Sequence, residues 1–184
     1  MNFSDYLDRV RAVYDTHASA LQLNPGATKA AVEAVEAQLG FPISADIRQA
    51  WLLADGGESD VPVFMRPGYL TGYDFLSLEE AIAERARMAD RAPRYAGYDE
   101  PASADARIRE GWFHQGWLPF ASFGAGTLLL MVDHSPGDGG TMGQIIAFTH
   151  DPDQITWVAP SFAALLTGSI GEIENDPEEF LGEY

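Results

Sequence analysis

The stretch "VDHSPGDGGTMGQIIAFTHD" (Val132–Asp151) packs four glycines, two histidines and three aspartates into 20 residues. It can be read as a phosphate loop, a metal site or the turn of a β-hairpin, and the choice decides the fold of the second half of the chain. A G-x-x-x-x-G-K-[ST] phosphate loop needs a lysine, and none is near. A G-x-G-x-x-G dinucleotide loop opens a helix, whereas this loop runs into the strand-like "QIIAF". His134, His150, Asp133 and Asp151 are all ligand types. If "TLLLMVD" and "GQIIAFTHD" pair as a hairpin, however, Asp133 lies opposite Gln144 and His150 near Thr127. The two histidines are then some seven residues apart along the strands, which at about 3.3 Å per residue is too far to share a metal. A calcium ion on Asp133, Asp138 and loop carbonyls is the one metal arrangement left open, although the D-x-[DN]-x-[DN]-G pattern is absent. The turn is the favoured reading: glycine and proline allow the reversal, and Asp133, Ser135 and Asp138 can accept neighbouring backbone N–H groups. A loop held on a rigid hairpin can also serve recognition.

Outward from the hairpin, "GWLPFASFG" supplies a strand ending near Phe123, "GTLLLMVD" a second, "GQIIAFTHD" a third and "QITWVAPSF" a fourth that runs into a helix begun at Ser161. Their short Gly/Pro-rich connections predict an antiparallel meander over 117–159. Upstream, Phe3, Tyr6, Leu7, Val10, Val13, Tyr14, Ala18 and Leu21 recur at helical spacing, predicting a helix over 3–21 broken by Asn24-Pro25-Gly26. A second helix fits 28–39, capped by Thr28 and closed by Gly40, and Ser44 is expected to cap a third that carries Ile47, Ala50, Trp51 and Ala54. Residues 61–76 read as one or two short strands. "SLEE" forms a capping box of Ser77 and Glu80 that starts a helix running to about Ala92. Residues 93–110 read as a polar connection with a short helix near Asp105, and the acidic C-terminal end, 170–184, with "EIENDPEEFLGEY", as a short helix or a mobile tail. Nothing suggests a repeat or a second domain within 1–184.

Charge excludes more than it assigns. The chain carries 11 Lys+Arg against 28 Asp+Glu, net −17. Residues 1–109 hold all 11 cations and 17 acids (−6), while 110–184 hold 11 acids and no cation (−11). Nucleic-acid binding needs cations to neutralise phosphates, and this half has none. Such acidity favours solubility and rapid encounter with basic partners. There is no cysteine, hence no disulfide or thiolate zinc site. The chain shows no leader, and no apolar run is long enough to span a bilayer, so a cytoplasmic protein is expected.

Catalytic patterns are thin. G-x-S-x-G and H-E-x-x-H are absent. His17 extends the first helix's apolar stripe, and His114 lies among aromatics in "GWFHQGW", so packing and hydrogen bonding explain both. No spacing recommends a set drawn from Ser122, His114 and Asp133. Trp117 and Phe120 are expected in the core, with Trp112 either packed or exposed as a contact residue.

Five segments, in order, resemble the SUKH superfamily, which groups fungal Smi/Knr cell-wall assembly regulators with bacterial immunity proteins. They are "GATKAAVEAVEAQLGFPISADIRQAWLLADGG" (26–57), "FLSLEEA" (75–81), "WLPFASFGAGTLLLMVD" (117–133), "SPGDGGTMGQIIAFTHD" (135–151) and "VAPSFAALL" (158–166). Thr127 departs from the acidic residue often found after the glycines of the W-[IL]-P-F-A strand, and His114 stands where Asn is common. The resemblance implies a single α+β domain, with a mostly antiparallel sheet of four to six strands packed by N-terminal and C-terminal helices. It also implies a non-catalytic protein-binding role with no cofactor or metal: a bacterial immunity protein neutralising a basic toxin such as a nuclease, or else an intracellular regulatory scaffold. A small hydrolase or metal-dependent enzyme is the remote alternative. The partner expected is a basic protein rather than nucleic acid or membrane. The contact residues expected are Glu58, Asp60, Asp99, Glu100 and Asp138, acids in loops, together with Trp112.

Overall fold

The computed structural model describes residues 1–69, 71–95, 97–98 and 101–182. Among them are six strands: β1 (Pro62–Met65), β2 (Gly72–Phe75), β3 (Trp117–Phe123), β4 (Leu128–Asp133), β5 (Gln144–Thr149) and β6 (Gln154–Ala159). They form one sheet in sequential order, with every pair antiparallel. The six helices are α1 (Phe3–Thr16), α2 (Lys29–Leu39), α3 (Ala45–Leu53), α4 (Leu78–Arg91), α5 (Phe162–Asn175) and α6 (Pro177–Leu181). The fold is α+β, as the resemblance implies. None of the described helices is long and apolar enough to cross a membrane.

Both faces of the central strands are buried, which explains the unbroken apolar runs of "LLLMV" and "QIIAF". Leu118, Phe120, Leu130, Val132, Ile145 and Ala147 join a large core with residues of α1, α3 and α5. Residues alternating with them, Trp117, Leu129, Met131, Ile146 and Phe148, form a second layer under Met88 of α4 and under Ala102 and Ile108. The connection beyond α4 is therefore the lid of the sheet's second face.

The free edge of β1 is sealed by side chains. Tyr6 Oη donates to Val63 O (2.6 Å), Tyr14 Oη donates to Pro62 O (2.8 Å), and Ser169 Oγ accepts from Met65 N (2.8 Å). An unpaired edge would otherwise offer its backbone groups to another chain.

Several boundaries differ from the sequence reading. α1 stops at Thr16 rather than 21: Ala18 takes φ +53, and Leu21 and Leu23 reach the core from the loop that follows. α4 ends at Arg91 with Ala92 as its C-cap, as expected, but a 3₁₀ turn, Ala92–Tyr95, carries the coil on through Pro93. No helix forms near Asp105, because its Oδ1 accepts from the Arg107 N–H (2.9 Å), and a local side-chain bond of this kind favours a turn. Of the two readings of the acidic end the helical one holds: α5 runs to Asn175 and α6 spans Pro177–Leu181, both packed on the core. Ile170 and Ile173 are buried on α5, and Phe180 of α6 is buried with its ring edge-on to Tyr14. The capping box at Ser77 and Glu80 is present, as is the Ser161 cap of α5.

Candidate functional site

The opening loop is a turn, and it is fastened on three sides. Asp133 pairs with Gln144, and the His150 N–H donates to Thr127 O (3.0 Å), giving the register expected from the sequence. His134 and His150 consequently stand at opposite ends of the hairpin. Asp133, fully buried, accepts from Ser135 N (2.8 Å) and from Gln144 Nε2 (2.9 Å). Gln144 Nε2 also donates to Arg107 O (2.7 Å), and Gly137 and Gly139 donate to Arg107 O and Ala106 O. His134 bonds Ser44, which occupies the N-cap position of α3 but makes no side-chain cap there; its hydroxyl is turned to the imidazole instead.

The other histidines are also engaged locally. His17 Nδ1 lies 2.9 Å from Val13 O, His114 Nε2 lies 2.6 Å from Glu110 O with its ring edge-on to Trp117, and His150 Nδ1 lies 2.6 Å from Asp153 Oδ1. Packing and hydrogen bonding account for each of them, as expected for His17 and His114.

A concave surface lies at the end of the sheet where β2, β3 and the β3–β4 turn meet. Two adjoining depressions of about 390 and 370 Å³ share Asp60, Asp74 and Gly124. The first is walled by Pro62, Phe123, Phe180 and Leu181, with Glu179 at its side. The second is walled by Glu58, Glu80 and Glu84, with Arg87 as its cation. The lining thus carries six carboxylates and one guanidinium, net −5.

The sheet register builds this groove. Asp74 pairs with Ser122, which brings Phe123 alongside, and Asp60 (φ +63) turns the chain so that its N–H donates to Asp74 Oδ2 (3.0 Å). Burial pushes the Asp74 carboxyl above the usual carboxylate range. The Asp60 N–H opposes that shift, and the carboxylates of Asp60 and Glu80 reinforce it. Glu84, buried on α4, pairs with Arg87 and lies 3.6 Å from Arg91 Nη2. A Cβ at Gly126 would lie 2.1 Å from Glu84 Oε1, so the glycine lets this carboxylate lie against the β3–β4 turn.

Of the residues expected to make contacts, the structure brings Glu58 and Asp60 together in this groove. Asp99 and Glu100 lie outside the described residues. Trp112 is half-buried against Tyr95 and Tyr98, with ring centroids 4.5 and 5.7 Å away. Asp138 is exposed on the hairpin loop and does not line the groove. Sequence reasoning missed Asp74, Glu80, Glu84, Glu179 and Phe123. For Asp74 a signal existed: the alternation in "GYDF" buries Tyr73 and Phe75 and leaves the aspartate between them half-exposed.

The architecture defines a class, a single α+β domain built on an open, sequentially ordered antiparallel sheet flanked by N-terminal and C-terminal helices. Residues 26–168 match the SMI1 / KNR4 family (SUKH-1), and the chain belongs to that family. It is 30% identical over 166 residues to the "Cell wall biosynthesis/cell cycle regulator smi1" of Schizosaccharomyces pombe (strain 972 / ATCC 24843). The match covers 84% of this chain and 32% of the relative, so the chain spans about a third of that protein's length.

Proposed function

We propose that this protein is a non-catalytic binding module whose partner is a basic protein, and that it works in the cytoplasm. The observation that carries the reading is the groove lining, six carboxylates against a single guanidinium, in a chain of net charge −17. Complementary charge of this kind raises association rate and sets partner choice. Glu58, Asp60, Asp99, Glu100, Trp112 and Asp138 are the proposed contact residues.

The partner favoured is a toxin that the chain neutralises, since an acidic surface suits the basic cleft of a nuclease. A second reading, an intracellular regulatory scaffold, is supported by the likeness to the fission-yeast regulator. Affinity capture followed by mass spectrometry and growth assays separates the two. Rescue of cells from the captured protein's toxicity supports immunity, whereas a non-toxic cellular partner supports the scaffold. In either case association should slow as salt rises, because exposed charges are screened over about 8 Å at physiological ionic strength. A neutral or acidic partner, or salt-indifferent association, sinks the basic-partner reading.

A further inference from the structure

We infer that the groove between Asp60, Asp74 and Phe123 is a receptor for an arginine side chain of the basic partner. This inference rests on the basic-partner reading and narrows it to one place and one side chain.

Three observations converge. Asp60 and Asp74 stand at the waist shared by both depressions, and neither has an ion-pair partner among the described residues. The one guanidinium in the lining, Arg87, is committed to Glu84. Asp74 is half-buried and accepts the Asp60 N–H, and among the described residues no ion pair reaches it, so a partly desolvated carboxylate is held beside two like charges. Phe123 is 48% exposed, one of few large apolar side chains on the surface, and it lines this same depression with Pro62, Phe180 and Leu181.

Carboxylates set beside an exposed aromatic face and an apolar wall match the chemistry of arginine. Its guanidinium is planar, donates in a fork to carboxylates and stacks on aromatic rings, while its methylenes lie along apolar surface. A lysine ammonium satisfies the carboxylates but gains less from the ring, being a strongly hydrated point charge.

The test uses the full chain and two probes, capped hexa-arginine and capped hexa-lysine peptides, followed by amide chemical shifts and calorimetry at low salt. Hexa-arginine should shift the amides of Gly72, Asp74, Phe123 and Gly124. Asp60→Asn/Asp74→Asn should weaken hexa-arginine about tenfold, the loss expected for bonds to charged groups. Phe123→Ala should weaken it about threefold and weaken hexa-lysine less. Asp15→Asn/Glu33→Gln removes two exposed charges elsewhere and should have little effect. Thermal melts establish that each variant folds. Phe123 is half-exposed, so its replacement keeps the test open even if the double aspartate variant unfolds. Binding that maps away from the groove, binding that follows net charge alone, or indifference to Phe123→Ala overturns the inference. The basic-partner reading is judged separately, by the charge of the captured protein.

Discussion

His134 Nε2 accepts two hydrogen bonds from one residue, Ser44: its backbone N–H at 3.0 Å and its hydroxyl at 2.8 Å. The other ring nitrogen, Nδ1, lies 3.2 Å from Gly116 O, so the fitting tautomer carries its proton on Nδ1. One neutral imidazole thus ties the hairpin to the start of α3 and to the segment before β3. Ser44, read in the sequence as a helix cap, serves this tie instead.

Protonation of His134 puts an N–H against the N–H of Ser44. Burial already lowers the His134 pKa below the ordinary value. The folded pKa is therefore below the unfolded one, near 6.5, and the stabilisation is complete above the unfolded value and lost as pH falls through it toward the folded pKa. His134→Ala should cost about 1–3 kcal/mol at pH 7.5, and the difference from wild type should shrink by pH 5. Urea melts across that range check it, and a pH-independent difference refutes it. An NMR titration should place the His134 midpoint below 6.5.

The Asp133–Gln144 pair depends on which atoms face each other. Gln144 is oriented by Thr141 N donating to its Oε1 and by its own Nε2 donating to Arg107 O. Asp133→Asn keeps the shape, but its amide can offer an oxygen to only one of the two donors, Ser135 N and Gln144 Nε2. The variant should lose about 1–3 kcal/mol. Burial also raises the Asp133 pKa, against the hydrogen bonds to its carboxylate. This group's contribution is therefore largest below the unfolded pKa and declines as pH rises through the folded one, the reverse of His134. A stability curve of Asp133→Asn that parallels wild type from pH 3 to 7 contradicts the account.

The sealed edge of β1 is one network. Met65 N donates to Ser169 Oγ, Ser169 lies 2.8 Å from Tyr6 Oη, and Tyr6 donates to Val63 O. Ser169→Ala and Tyr6→Phe should each cost about 1–3 kcal/mol. Because they share a hydrogen bond, the double variant should cost less than the sum. A double-mutant cycle by urea denaturation measures the coupling, and strict additivity argues against a shared network.

How far the sequence revealed the fold depended on range. The strands of 117–159 and their register were legible, because apolar runs bounded by glycine turns admit few pairings, and Asp133 opposite Gln144 followed. The capping box at Ser77 was legible for the same local reason. The end of α1 was not, since Ala18 and Leu21 keep the helical spacing and only tertiary packing draws Leu21 into a loop. The groove was illegible as a unit. Its parts come from 58–60, 74, 80–87, 123–126 and 179–182, and nothing local to Asp74 or Phe123 announces that β2 and β3 are neighbours. The turn at Asp105 was misread because a side-chain bond outweighed helix propensity.

The C-terminal segment provides the last prediction. An acidic, proline-containing sequence such as "ENDPEEFLGEY" reads equally as a short helix or a tail, and Phe180, 2% exposed, decides for the helix. α6 is short, and Asp176 caps it by accepting from Glu179 N (3.2 Å), with Pro177 at its first turn. The cap and proline set the helix direction so that Phe180 enters the core beside Tyr14, while the carbonyl of Phe180 approaches Gly72. Removing a buried phenylalanine leaves a cavity that the surroundings only partly fill, so Phe180→Ala should cost about 3–5 kcal/mol. Phe180→Leu should cost much less, because it preserves most of the buried volume. A dispensable tail would tolerate Phe180→Ala with no change in melting temperature, and that outcome would remove α6 from the folded core. If α6 is part of the core, the same substitution should also raise amide exchange at Gly72 and Tyr73, since it loosens the wall against which β2 ends.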